Sequence, residues 1–279
     1  ASGAAGGDTG PVYVDDVFST FLYEGTSSTR SIDNGIDLSG EGGLVWIKER
    51  TVTQNHMLID TVRGAEKFLV SNSTQREFND SSSLTAFNNN GFTLSNGNEV
   101  NQGSQNFVSW TFRKAPGFFD VVTYSGTGSV QNISHSLGSV PGMIMIHCRD
   151  GTHNWEVFHR SLGANWPINL NSPNTARNDS TVWNNTSPTS SVFTVGTSSN
   201  VNQNGHGYVA YVFAHDDQSF GADQDEAIIK CGYYAGTGAS QEINLGFEAQ
   251  WLLVRNNSGA TNWFMVNNMM GDKSVVADE

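Results

Sequence analysis

Gly43-Leu44-Val45-Trp46-Ile47-Lys48-Glu49-Arg50 and, 99 residues further along, Gly142-Met143-Ile144-Met145-Ile146-His147-Cys148-Arg149 are two renderings of one segment. Each is an apolar run of strand length that opens on glycine and closes on arginine. The same offset aligns His56-Met57-Leu58-Ile59-Asp60 with Trp155-Glu156-Val157-Phe158-His159, and Gly64-Ala65 with Gly163-Ala164. At an offset of 101, Gly91-Phe92-Thr93-Leu94 matches Val192-Phe193-Thr194-Val195, and Val100-Asn101-Gln102 matches Val201-Asn202-Gln203. Phe107-Val108-Ser109-Trp110-Thr111-Phe112 matches Tyr208-Val209-Ala210-Tyr211-Val212-Phe213 at that offset too. A colinear series of this length reads as internal repetition, which decides the fold before any local structure is assigned.

A third copy begins after Gly221. Tyr234-Ala235-Gly236-Thr237-Gly238 repeats Tyr124-Ser125-Gly126-Thr127-Gly128, and Tyr23-Glu24-Gly25-Thr26 foreshadows both. Trp251-Leu252-Leu253-Val254 corresponds to the Met143 segment and Asn262-Trp263-Phe264-Met265-Val266 to Asn154 through Phe158, but nothing matches the second half of the unit. The segments are short, rich in Val, Ile, Phe, Tyr and Trp, and bounded by turn clusters such as Asn88-Asn89-Asn90-Gly91, the signature of strands and tight turns. The expected fold is all-β, made of tandem β-sandwich repeats, jelly-roll or lectin-like, of about 100 residues each. The expected boundaries are a flexible N-terminal arm over residues 1–19, repeat 1 over 20–119, repeat 2 over 120–222, and the first half of repeat 3 over 223–279. Such a half-unit cannot close its own sandwich. A continuation of the chain, favoured because Gly271-Asp272-Lys273-Ser274 resembles the turn after a fourth strand, or else a second subunit, is expected to complete it. The one helical signal is Val62–Val70.

Composition agrees with this reading. Of 279 residues, 37% are hydrophobic and only 15% charged, a balance of short strands and many turns. The formal charge of −13 repels phosphate backbones and anionic lipid, so neither nucleic acid nor a membrane surface is an expected partner. No apolar run approaches the roughly 18 residues that a membrane-spanning helix needs. Ala1 to Gly10 is small and Gly-rich, without the basic start and apolar core of a signal peptide. Two cysteines, Cys148 and Cys231, make no disulfide framework and are expected as free thiols from a reducing cytoplasm.

Val12-Tyr13-Val14-Asp15-Asp16-Val17-Phe18-Ser19-Thr20, the Gly43–Arg50 block followed by Asp60-Thr61-Val62-Arg63-Gly64-Ala65, and Ser134-His135-Ser136-Leu137-Gly138-Ser139-Val140-Pro141 with Asn154-Trp155 resemble repeats in tail-fibre and other virion structural proteins of marine tailed bacteriophages, cyanophages included. The resemblance covers residues 12–279. It implies a virion component made in the host cytoplasm, a homo-oligomer, contacts with other tail or head proteins, and contact with a host-surface glycan. A carbohydrate-binding module of a secreted or surface protein, and a capsid decoration protein, are the alternatives.

Catalytic constellations are missing from the motifs. There is no Gly-x-Ser-x-Gly elbow, no Walker A loop and no His-Glu-x-x-His, so no enzyme, catalytic residue or cofactor is expected. Carboxylates are plentiful, and a polysaccharide-degrading enzyme would need two of them about 5 to 10 Å apart. His147, His153 and His159 lie close to Cys148 in sequence, but the spacing matches no structural zinc pattern and no metal is expected. Asp216-Asp217 with Asp223, Asp225 and Glu226 lacks the ordered spacing of a calcium loop and reads as a solvated linker. Trp155 and Trp263 recur at one repeat position, as a shared packing role requires. Trp166 and Trp183 have no aromatic counterpart in the first copy and are the candidates for stacking on a glycan.

Overall fold

The computed structural model describes residues 10–271 and 274–278. A first block contains β1 (Phe18–Glu24), β2 (Arg30–Asp33), β3 (Gly43–Glu49), β4 (His56–Asp60), β5 (Lys67–Val70), β6 (Phe78–Asn79), β7 (Leu84–Asn88), β8 (Gly91–Leu94) and β9 (Asn106–Arg113). A second contains β10 (Phe119–Ser125), β11 (Gln131–Ser134), β12 (Met143–Cys148), β13 (Glu156–His159), β14 (Ile168–Asn169), β15 (Val192–Val195) and β16 (Gly207–Phe213). A third contains β17 (Trp251–Val254), β18 (Phe264–Asn267) and β19 (Ser274–Val276). The fold is all-β, in antiparallel sheets ordered β1-β9-β3-β4-β5-β6 and β2-β8-β7, then β10-β16-β12-β13-β14 and β11-β15, then β17-β18-β19. The helices are single turns, such as Asn98–Asn101 and Ser199–Asn202.

The apolar run of β3 is explained by burial on both faces. Leu44 and Trp46 enter one core while Val45 and Ile47 enter another, as the period of two requires. In β12, Met143 and Met145 point one way and Ile144, Ile146 and Cys148 the other. The core that holds Val45 and Ile47 lies between the two sheets of the first block and includes Ile32, Phe92 and Leu94. The core of Ile144 and Ile146 lies between the two sheets of the second and includes Ile133, Phe193 and Val195. The remaining faces meet in a single shared core that gathers Trp46 and Trp110, Trp155 and Tyr211, and Trp263 and Met265.

Pairing registers coincide between the blocks. Leu44 faces Phe112 and Asp60 in the first; Met143 faces Phe213 and His159 in the second. Val254 faces Phe264 in the third as Ile146 faces Glu156. The motif Tyr-x-Gly-Thr acquires a physical meaning here. The Tyr23 hydroxyl donates to the Val100 carbonyl at 2.7 Å and the Thr26 amide to Asn101 Oδ1 at 2.9 Å. Tyr124 repeats the bond to Val201 at 2.7 Å, and Thr127 that to Asn202 at 2.8 Å. A Cβ on Gly25 or Gly126 would lie 2.0 or 2.2 Å from the carbonyl oxygen of Gln102 or Gln203, so only glycine allows the two segments to lock together.

Three expectations change. Of the arm expected over 1–19, residues 1–9 lie outside the described residues, Val14–Val17 form a helical turn, and Phe18 and Ser19 already pair with β9. The helical signal at Val62–Val70 yields β5 instead, because Met57 and Leu58 pair with Val70 and Leu69 and bury them. Tertiary pairing overrides that local periodicity. In the third block, residues 227–250 carry no strand. A strand exists only with a partner, and the counterparts of β9 and β8, which hold β1 and β2 in the first block, are not present there.

Candidate assembly surface

The three blocks are joined head to tail by one repeated bond. His56 Nε2 lies 2.8 Å from the Val276 carbonyl oxygen, the Trp155 indole donates to the Val70 carbonyl at 2.9 Å, and the Trp263 indole donates to the Asn169 carbonyl at 2.8 Å. Each block thus reaches for the strand that follows β4, β13 or β18 in a neighbouring block, namely β5, β14 or β19, and the ring closes. Within its own block each of these residues is fixed alike: the backbone amides of His56, Trp155 and Trp263 donate to the side chains of Asn72, Asn171 and Asp278. His56 Nδ1 accepts from the Trp46 indole at 2.9 Å, so Nε2 is the donor and the ring is neutral. Burial pushes its pKa down to about 3, with nearby Lys48 adding to the effect. His147 stacks on Trp155 at 4.5 Å, places Nε2 2.8 Å from the Gln75 carbonyl, and is pushed down by burial to about 4.

A buried ion pair of the first block is engaged by a hydroxyl of the second. Arg63 donates to Asp60, to the Leu58 carbonyl and to the Tyr211 hydroxyl, which in turn donates to Asp60 at 2.9 Å. Burial opposes the Arg63 charge, but Asp60, with help from Glu77, outweighs it and holds the guanidinium firmly protonated. Glu77 also receives Arg149 in two hydrogen bonds, at 3.0 and 3.1 Å.

The third sheet is the exception to this closure. β3 pairs with β4 and β9, and β12 with β13 and β16, whereas among the described residues β17 pairs with β18 only. Trp251 and Leu253 turn toward the shared core, while Leu252 is 38% and Phe264 43% exposed on the opposite face. Tyr234-Ala235-Gly236-Thr237 keeps its local turn, with the Thr237 hydroxyl donating to Ala239 as Thr127 does to Ser129. No third Val-Asn-Gln occurs in the sequence to meet it, and Tyr234 is 50% exposed.

The sequence candidates separate. Trp166 is 44% exposed on a turn held by bonds from Arg177 to Pro167 and from Asp179 to Asn165. Trp183 is 1% exposed and packs edge-to-face on Phe158, so it offers no ring face to a sugar. Its apolar neighbours exclude it from the glycan-contact role expected of it. Among the carboxylates, Glu156 and Asp179 both flank Arg177, at 2.6 and 3.3 Å. Glu156 is fully buried, and burial raises its pKa against the pull of Arg177. Asp216 pairs with Lys230 at 3.5 Å on the surface. Both thiols are free and buried. Of the sequence-clustered histidines, His153 comes near Cys148, and the third member of that group is His206, which linear proximity did not reveal.

Among the described residues no helix is long and apolar enough to cross a membrane. Neither the curated proteins nor the solved structures hold a match to the chain. A family described as a domain of unknown function, DUF7483, matches residues 14–279, and the chain belongs to that family.

Proposed function

We propose that the protein is a non-enzymatic structural subunit of a tailed-phage particle, part of a tail fibre or appendage that contacts the host surface. Its third sheet offers an open edge to a further antiparallel strand. The observation that carries this reading is the open edge of β17 beside the unanswered Tyr234-Ala235-Gly236-Thr237 turn. In both other blocks the corresponding place is filled by a Val-Asn-Gln turn followed by an alternating, largely apolar strand, β9 or β16. The partner segment therefore has that chemistry. Addition of an antiparallel strand satisfies the exposed backbone groups and covers Leu252 and Phe264. The closed ring of three blocks supplies the rigid body from which such a surface is presented. Electron microscopy of particles with an antibody raised to this chain tests the assignment. Labelled tails or fibres support it; unlabelled particles, with a chain that stays monomeric in light scattering, overturn it.

A second reading is carried by Trp166 alone, whose exposed indole suits stacking on a pyranose ring. Glycan-array binding that disappears in Trp166→Ala would favour a carbohydrate-binding module.

A further inference from the structure

Repetition provides a control for every polar residue in the second block, since the same place in the first shows what packing alone requires. At one place three residues differ together. Where the first block has Glu49, Gln54 and Gln105, the second has Cys148, His153 and His206. The backbone around them is equivalent: Gly126 donates to the His206 carbonyl as Gly25 does to that of Gln105, both at 2.8 Å. Arg149 donates to Gly207 at 2.8 Å as Arg50 does to Asn106 at 2.7 Å. The fold thus needs no thiol or imidazole here, yet all three substitutions are to residues that bind transition metals.

From these residues we propose a binding site for a borderline-soft divalent transition ion, of the zinc type, formed by Cys148 Sγ, His153 and His206 Nδ1. The ligand atoms lie within 4.8 Å of one another, and Cys148 Sγ is 3.6 Å from His206 Nδ1. A tetrahedral ion with Zn–S near 2.3 Å and Zn–N near 2.0–2.1 Å holds sulfur and nitrogen about 3.5 Å apart, so this pair already has the required spacing. Gly151 lets the two imidazoles approach one another. A Cβ there would lie 2.8 Å from His153 Nε2 and Cδ2 and 3.2 Å from His206 Nδ1, so nitrogens of both rings converge beside this glycine and any other residue would push them apart. The far nitrogen of His206 is held as metal-bound histidines commonly are: Nε2 lies 3.0 Å from the Gln203 side-chain amide. A half-turn of that amide puts its oxygen on Nε2–H and leaves Nδ1 a lone pair for the ion. Cys148 is fully buried and the histidines are partly so, which leaves the fourth position to water. The site ties the 149–155 loop to the turn before β16, beside the bond from His153 to the Thr74 carbonyl of the first block. An ion here fixes the second-block loop whose His153 amide bonds to the first block.

Cobalt(II) titration of the whole chain tests this. The expected result is one equivalent bound, with a thiolate-to-cobalt charge-transfer band that zinc displaces. Cys148→Ser abolishes the band and Cys231→Ser leaves it intact. His153→Gln and His206→Gln install the residues that the first block carries at these positions, so they fold. They weaken binding by at least the roughly tenfold that loss of even an outer-shell partner costs. Gly151→Ala, whose Cβ displaces the His153 ring, does the same. No charge-transfer band in the wild-type chain, or equal affinity in the wild type, His206→Gln and Gly151→Ala, overturns the proposal.

Discussion

The indole of Trp155 donates to the backbone carbonyl of Val70 at 2.9 Å, across the boundary between two blocks. Because the acceptor belongs to a buried strand end, the bond has no water to replace it. Trp155→Phe keeps most of the ring but orphans that carbonyl, and a loss of about 1–3 kcal/mol is expected. Trp263→Phe should cost a similar amount at Asn169. Denaturant unfolding checks both; a change below about 0.5 kcal/mol in each would mean that the ring of bonds contributes little.

Arg63 and Asp60 form a fully buried ion pair, also engaged by Tyr211. Arg63→Met leaves Asp60 charged and uncompensated, so it is expected to lose about 3–5 kcal/mol, whereas the double variant Arg63→Met/Asp60→Leu recovers much of the loss. A double-mutant cycle in urea measures the coupling.

Acid should weaken the fold through its neutral histidines. His56 and His147 have folded pKa values pushed down to about 3 and about 4, against about 6.5 when unfolded. Below pH 6.5 the unfolded chain takes up the protons that the folded one refuses, so stability falls with pH until the folded pKa is reached, at up to about 1.4 kcal/mol per pH unit for each group. Glu49 and Glu156, raised by burial, act with the opposite sign. The diagnostic quantity is therefore the difference between the wild type and His56→Gln. Stability curves that run parallel from pH 6.5 to 4 would remove His56 as a contributor.

A synthetic peptide spanning Ser199–Phe213, with a solubilising tail, should bind the third sheet saturably, because it carries both the Val-Asn-Gln turn and the β16 strand. Replacing its Asn202 by alanine removes the acceptor for the Thr237 amide and should weaken binding about tenfold, the equivalent of one good hydrogen bond. Fluorescence anisotropy of the labelled peptide measures this. Equal binding of a scrambled peptide would argue for mere hydrophobic adhesion.

The two unmatched tryptophans should behave oppositely. Trp183→Ala removes a buried ring and is expected to cost about 3–5 kcal/mol, while Trp166→Ala stays within about 0.5 kcal/mol. Thermal melts of the two variants make the comparison.

Strand character, the all-β fold and the packing role of Trp155 and Trp263 were legible in the sequence. Period-two burial and pairing register are local constraints, and they recur wherever the same residues recur. The locking of Tyr-x-Gly-Thr on Val-Asn-Gln is written as two separate motifs, 77 residues apart for Tyr23 and Val100; their mutual contact is a tertiary fact. Only the tertiary structure decided that the outer sheet faces of all three blocks share one core, that Trp183 is buried while Trp166 is exposed, and that His206 joins Cys148 and His153. Each depends on which side of a strand or loop meets a segment distant in sequence, as Cys148 meets His206. The sequence determines the strands because side-chain alternation is local, whereas only packing between sheets decides which alternating face finds a partner and which is left exposed.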